Sequence, residues 1–185
     1  MQYRQGWIVG VDEQKGFLIP YEITAAENGA NAISFSGPLS TLMKEDFSLA
    51  LNAVQLALQN AMIEVPEFDW HFHLVGNRLD LTGPSHRMSL GISVLSMHFP
   101  QIEIRPDEAV MTGDLMLCGK FLPVSYIDKK SAASRENGIE TFWVATEQEI
   151  PEGIEAKHAD SLGELIRNAT ANPFRESFIP AELRQ

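Results

Sequence analysis

The sequence predicts one α/β (α+β) domain, a mixed β-sheet with helices packed on it, over residues 6–170, with a C-terminal tail over 171–185. Three observations lead there. Short runs rich in β-branched and aromatic residues alternate with longer stretches of helical period. No linker, internal repeat or low-complexity tract divides the chain. Its 185 residues, 44% hydrophobic and 21% charged, have the length and composition of an ordinary globular core.

Taken in order, residues 7–11 and 17–23 read as two strands around the turn Glu13-Gln14-Lys15-Gly16, and residues 32–36 as a third after the turn Glu27-Asn28-Gly29-Ala30-Asn31. The clearest helix runs from Ser40 to about Met62. Leu39, Met43, Phe47, Leu51, Val54, Leu58 and Met62 recur along it at spacings of three and four, a stripe that belongs in a core. In the strand that follows, Trp70, Phe72 and Leu74 alternate with His71 and His73, so the apolar set takes one face and both imidazoles the other. Two histidines on one strand face can begin a metal site. His86, His98 and His158 are not spaced to complete it, so no metal and no cofactor are expected and the pair reads as a polar strand face.

Leu79-Asp80-Leu81 leads into the turn Gly83-Pro84, and residues 86–97 read as a helix with Met88, Ile92, Leu95 and Phe99 on one stripe. Gly91 weakens this helix slightly and Pro100 ends it. Arg105-Pro106-Asp107-Glu108 turns the chain into its central unit. From Met111, two short apolar runs around Cys118-Gly119-Lys120 read as a hairpin; Pro123 closes the second strand, and a helix carrying Lys129 and Lys130 follows, stopping near Asn137-Gly138. Residues 141–144 read as a strand with Phe142 and Trp143 buried. Ser161-Leu162-Gly163-Glu164 has the capping-box pattern ahead of a last short helix containing Leu165 and Ile166. From Asn172-Pro173 on, Pro, Arg and Glu recur without a period, as in a tail.

Gly83-Pro84-Ser85 places a hydroxyl at a helix start, and a lysine on a second helix can act as base to such a nucleophile. Lysine serves only when its amine is neutral, which requires burial or a neighbouring positive charge. Helical spacing leaves both lysines open, since Tyr126-Lys129-Ala133 and Ile127-Lys130-Ser134 are each a plausible face.

Several of these motifs, in this order, resemble the proteolytic domain of the Lon proteases. That family has Gly-Pro-Ser, then Met-Thr-Gly-Glu, then Leu-Pro-Ile-Gly-Gly-Leu-Lys-Glu-Lys. This chain has Gly83-Pro84-Ser85, Met111-Thr112-Gly113-Asp114 and Leu122-Pro123-Val124-Ser125-Tyr126-Ile127-Asp128-Lys129-Lys130. Gly138-Ile139 continues the likeness forward. His71-Phe72-His73 stands where the family has His-Ile-His, and Phe35-Ser36-Gly37-Pro38-Leu39 resembles its Tyr-Thr-Gly-Ser-Leu, so the resemblance covers about residues 6–168.

The resemblance implies a serine endopeptidase with a Ser-Lys dyad. Ser85 would attack a peptide carbonyl, Lys130 would remove its proton, Thr112 would help to position the lysine, and the backbone N–H groups of Ser85 and His86 would face the oxyanion. Lys130 rather than Lys129 falls on the family's catalytic lysine when residues are counted without gaps from Leu122-Pro123 to Gly138-Ile139. The partners implied are unfolded protein or peptide substrates, further copies of the chain in a ring, and a separate ATPase, because the P-loop pattern is absent from these residues. The flanks of the serine depart from the family, which has Lys-Asp before Gly-Pro-Ser and Ala-Gly after it. This chain has Leu81-Thr82 and His86-Arg87. Arg87 could occupy the space over the serine, or its charge could depress the lysine's pKa. The alternative reading is therefore a catalytically impaired Lon-like domain that binds a partner or regulates an ATPase.

Composition excludes other classes. A net charge of −11 repels nucleic acid and anionic membranes. Cys118, the single cysteine, rules out an intrachain disulfide and fits a cytoplasmic setting. The first residues lack a signal peptide's apolar core, and the longest uncharged run, 47–63, is interrupted by Ser48, Asn52, Gln55, Gln59 and Asn60, so no membrane span is expected.

Overall fold

The computed structural model describes residues 1–27, 29–76 and 81–171. Their elements run β1 (Gln2–Val11), β2 (Gly16–Glu27), β3 (Ile33–Ser36), α1 (Thr41–Asn60), β4 (Phe68–Leu74), α2 (Arg87–His98), β5 (Ala109–Met111), β6 (Asp114–Leu115), β7 (Phe121–Leu122), α3 (Ile127–Glu136), β8 (Thr141–Ala145), β9 (Ala156–Ala159) and α4 (Leu162–Ala171). The single mixed sheet expected is one of three. Strands in the order β1-β2-β4-β3 make a mixed sheet, β5-β8-β9 make a parallel one, and β6-β7 form a short hairpin. Among the described residues no helix is long and apolar enough to cross a membrane. Leu79, Asp80 and the segment from Asn172 on lie outside the described residues, and α4 runs to Ala171.

Alternation on β2 and β4 creates one apolar face. Ile19, Tyr21, Ile23 and Ala25 on β2, and Phe68, Trp70, Phe72 and Leu74 on β4, are buried against α1 and α2 in the main core. Phe47 of α1 stacks on Phe72 with ring centroids 4.8 Å apart. Ser40 caps α1, its hydroxyl accepting from the Met43 N–H at 3.2 Å, so this boundary falls where the sequence placed it. The other end does not. The helix stops at Asn60, and Met62, expected on the core stripe, is 92% exposed in the left-handed region with φ 56°.

The expected stripe on α2 is a further correction. Every residue from Met88 to Met97 is buried, because α2 is the central helix of the molecule. Leu90, Val94 and Met97 are as hidden as Met88, Ile92 and Leu95. Ser89, Ser93 and Ser96 are buried with them and are satisfied: Tyr21 Oη lies 2.7 Å from Ser89 Oγ and 2.8 Å from Ser93 Oγ, and Arg4 Nε donates to Ser96 Oγ at 2.9 Å. Gly91, read as a slight weakness, also gives the neighbouring hairpin room. A Cβ there would lie 2.6 Å from Leu115 Cδ2, so with any side chain at this position Leu115 of the β6-β7 hairpin would have to shift.

The strand read from Met111 onward is split between sheets. Ala109–Met111 pairs in parallel with β8, the chain breaks at Thr112-Gly113, and only Asp114-Leu115 joins the hairpin. That break places the site. A second core, formed by Val9, Val110, Ile127, Ile139, Phe142 and Val144, fills the space between β1, α3 and the parallel sheet. Phe142 is buried, whereas Trp143 points to the other face and is half-buried, with Lys157 Nζ 5.7 Å from its ring centroid. Before α4, Ser161 Oγ accepts from the Glu164 N–H at 3.2 Å, and the Glu164 carboxylate accepts from the Asp160 N–H at 2.8 Å, a capping box shifted by one residue.

Candidate active site

Gly83 takes φ 86°, a conformation that a side chain would strain, and Pro84 follows with its carbonyl accepting from the Arg87 N–H at 3.0 Å. This turn delivers Ser85 immediately ahead of α2. Its main chain is held from the break after β5: Gly113 N–H donates to the Ser85 carbonyl at 2.9 Å and Thr112 Oγ1 donates to it at 3.1 Å, while Met88 N–H donates back to the Gly113 carbonyl at 3.1 Å. Thr112-Gly113 thus clips the start of α2. The Arg87 and Met88 amides are used; among the described residues those of Ser85 and His86 donate no hydrogen bond, leaving two N–H groups at the head of α2 available to an acceptor.

Lys130 comes from α3. Tyr126 turns the chain into this helix from the left-handed region, φ 62°, and the face bearing Ile127, Lys130, Ser131 and Ser134 goes inward. Lys130 is 3% exposed. Its Nζ donates to Thr112 Oγ1 at 3.3 Å, and burial pulls its pKa down to about 8. Lys129, one position earlier, is half-exposed and donates to the Glu13 carbonyl at 3.0 Å, with its ammonium 5.8 Å from the Tyr126 ring. The choice that spacing left open is a difference in burial.

Ser85 and Lys130 line one cleft of about 540 Å³, walled also by His86, Asp114, Tyr126 and the end of β1. Thr112, fully buried, stands behind it and joins them, accepting from the lysine and donating to the Ser85 carbonyl. Among the described residues Lys130 Nζ makes this one hydrogen bond, and Ser85 Oγ makes none.

What sequence reasoning missed is Asp46. It lies on α1, 2% exposed, with Oδ1 2.6 Å from Arg87 Nε and Oδ2 2.8 Å from His86 Nε2. The histidine contact has an ion-pair distance, but its geometry falls short of a hydrogen bond. Burial by itself would raise the Asp46 carboxyl; His86 and Arg87 outweigh it and hold the group below the ordinary carboxylate range. Arg87 also reaches Asp114 Oδ1 at 3.3 Å. Neither role foreseen for Arg87 is seen: the guanidinium lies against Asp46 and Asp114 rather than over Ser85, and the low pKa of Lys130 comes from burial. A signal for Asp46 was present, since Met43, Asp46, Phe47 and Ala50 share the buried side of α1 and a carboxylate there needs a partner.

His71 and His73 do share a face, but their neighbours are serines. Ser34 Oγ lies 2.8 Å from His71 Nδ1, and Ser36 Oγ lies 2.8 Å from His71 Nε2 and 2.7 Å from His73 Nδ1. No group of three His, Cys, Asp or Glu that could hold a metal forms among the described residues.

Comparison with known proteins gives a consistent picture. Residues 8–169 match the profile of the Lon protease C-terminal proteolytic domain. The chain is 31% identical to the Lon protease of Haemophilus influenzae, over 93% of this chain and 23% of that one, and 31% identical to that of Cytophaga hutchinsonii, over 74% and 17%. A mitochondrial Lon protease homolog of Ostreococcus lucimarinus is 26% identical over 83% of this chain and 18% of its own. The chain thus spans about a fifth of the length of these relatives. A mixed sheet packed by helices, a serine at the head of a buried helix and a profile match along nearly the whole described chain agree: this chain belongs to the family of the Lon protease C-terminal proteolytic domain.

Proposed function

We propose that the chain is a serine endopeptidase domain in which Ser85 is the nucleophile and Lys130 its base. One observation carries the reading: an amine buried to 3% exposure and depressed to about 8 opens on the same cleft as a hydroxyl at a helix start. Neutral Lys130 takes the Ser85 proton as Oγ bonds to the peptide carbonyl carbon, and the oxyanion forms against the Ser85 and His86 amides. Collapse breaks the C–N bond, the leaving amine takes the proton back from Lys130, and water then hydrolyses the acyl-enzyme in the same manner. Thr112 holds the amine in place. Bound substrate brings Oγ and Nζ together, since catalytic hydrogen bonds tighten in the complex.

None of these steps uses a nucleotide. The substrates are unfolded protein segments or peptides, an ATPase that delivers them is a separate module, and copies of the domain assemble as a ring. An exposed, unpaired Cys118 supports a cytoplasmic setting.

Hydrolysis of an unstructured fluorogenic peptide by wild type, Ser85→Ala and Lys130→Ala tests the reading; both substitutions abolish cleavage, and equal rates in all three overturn it. The wild-type rate climbs between pH 7 and 9 as the amine of pKa about 8 loses its proton. A second reading, a partner-binding or regulatory domain, draws on the Lys130 hydrogen bond going to Thr112 rather than to Ser85. Ser85-dependent cleavage rules it out.

A further inference from the structure

Two bulky residues, His86 and Arg87, directly follow Ser85, and both are tied to one carboxylate from a different helix. We propose that Asp46 is a positioning residue that keeps the cleft open by clamping Arg87 against α1; the inference rests on the reading of Ser85 and Lys130 given above. Asp46 is 2% exposed, and the two side chains it touches lie 2.6 Å and 2.8 Å away. The second anchor of Arg87 is Asp114, 3.3 Å away, and Asp114 lines the cleft. Geometry therefore fixes the outcome of losing Asp46. A guanidinium released from the buried carboxylate retains the cleft-wall one, and a long cation held only there swings into the mouth that a peptide must enter. There it obstructs an extended chain and places a charge near the amine that must be neutral.

Testing uses 185-residue wild type, Asp46→Asn, Asp46→Ala and Asp46→Ala/Arg87→Ala, each confirmed folded by circular dichroism at the assay temperature. The first readout needs no activity: the Arg87 Nε–H in ¹⁵N-labelled protein, held 2.6 Å from Asp46 in wild type, exchanges slowly with water and becomes at least about tenfold faster in Asp46→Asn. Equal exchange in the two proteins overturns the clamp whether or not the protein cleaves peptides. The second readout is Ser85-dependent peptide hydrolysis. Asp46→Asn raises KM about tenfold with a smaller change in kcat, and the double variant, which lacks the obstructing side chain, recovers to within about threefold of wild type. Asp46→Ala without recovery in the double variant marks Asp46 as structural only and overturns the inference. Slow Arg87 exchange in a wild type that shows no Ser85-dependent cleavage supports the clamp and sinks the peptidase reading instead, so the two failures are told apart.

Discussion

Two polar networks are buried against α2, and they are built from different chemistry. Along the middle of the helix the groups are neutral: Tyr21, Ser89 and Ser93 satisfy one another within 2.8 Å, and burial pushes the Tyr21 hydroxyl up to about 12. At its head the groups are ionisable: the Asp46 carboxylate, the Arg87 guanidinium and the His86 imidazole, with Asp114 beyond. Hydroxyls donate and accept with little desolvation cost, so the first network lets a fully buried helix carry polar residues and stays unchanged across the physiological pH range. Buried charges cost much more to desolvate and are held only while every partner is present. The contrast is one of position. Neutral polarity holds the core together, and charge is concentrated where the core meets the cleft.

Removing one member of each network gives the sharpest break between them. Asp46→Ala leaves buried His86 without its carboxylate and half-buried Arg87 with only Asp114, and should cost about 2–4 kcal/mol of unfolding free energy in urea, the largest loss of any substitution discussed. The wild-type contribution also has a pH signature. The folded Asp46 carboxyl lies below its ordinary value, so the unfolded chain binds the proton more readily. The stabilisation is thus complete above the ordinary carboxylate pKa and lost as pH falls through the folded one. Asp46→Ala should flatten this acid limb; an unchanged limb removes Asp46 from the account.

Lys130 belongs to neither network, an ionisable amine whose hydrogen bond is to a neutral hydroxyl. Its pKa of about 8, against an ordinary 10.5, means that at neutral pH the fold carries a cost of roughly 3 kcal/mol. Between those values the unfolded chain binds more protons than the folded one, so wild-type stability gains as pH rises from about 8 toward 10.5. Lys130→Met should therefore raise Tm at pH 7, with the advantage shrinking above pH 8. A constant advantage across pH would place the amine in water.

Much of this arrangement could be read from the residues, and the exceptions have physical causes. Ser40 capping α1, Gly138 ending α3 and the β6-β7 turn were legible because local chemistry decides them. Met62 was misplaced because periodicity does not show where a helix stops. The all-round burial of α2 was hidden by its serines, which look solvent-facing until Tyr21 and Arg4 arrive from distant strands. Ser85, Thr112 and Lys130 were read as a set through their shared order in a family pattern; Ser85 and Lys130 line one cleft, and Thr112 is buried behind it. Asp46 was not found, since a helix pattern gives no hint that its partners sit at the head of another helix.

Within the hydroxyl network the expected losses are smaller. Tyr21→Phe keeps the ring and its contact with Phe72 but leaves Ser89 and Ser93 short of a partner, a cost of about 1–3 kcal/mol. Chemical denaturation at pH 5, 7 and 9 should give the same difference each time, because nothing in this network titrates there. A difference that varies with pH would mean that the charged head of α2 is coupled to its neutral middle.

The mildest case is at the edge of that network. Ser96 Oγ donates to the Ser93 carbonyl at 2.8 Å and accepts from Arg4 Nε at 2.9 Å, so Ser96→Ala deletes two hydrogen bonds at once. The Ser96 carbonyl still accepts from Arg4 Nη2 at 3.0 Å, and Glu103 lies 3.7 Å from Arg4 Nε. Arg4 is partly exposed, so water replaces the lost acceptor, and the Ser93 carbonyl loses only a secondary donor. The loss should stay under about 1 kcal/mol by urea denaturation. A loss as large as that of Asp46→Ala would show that one charge, on Arg4, makes this end of the helix as unforgiving as its head, and the division between neutral middle and charged rim would then fail.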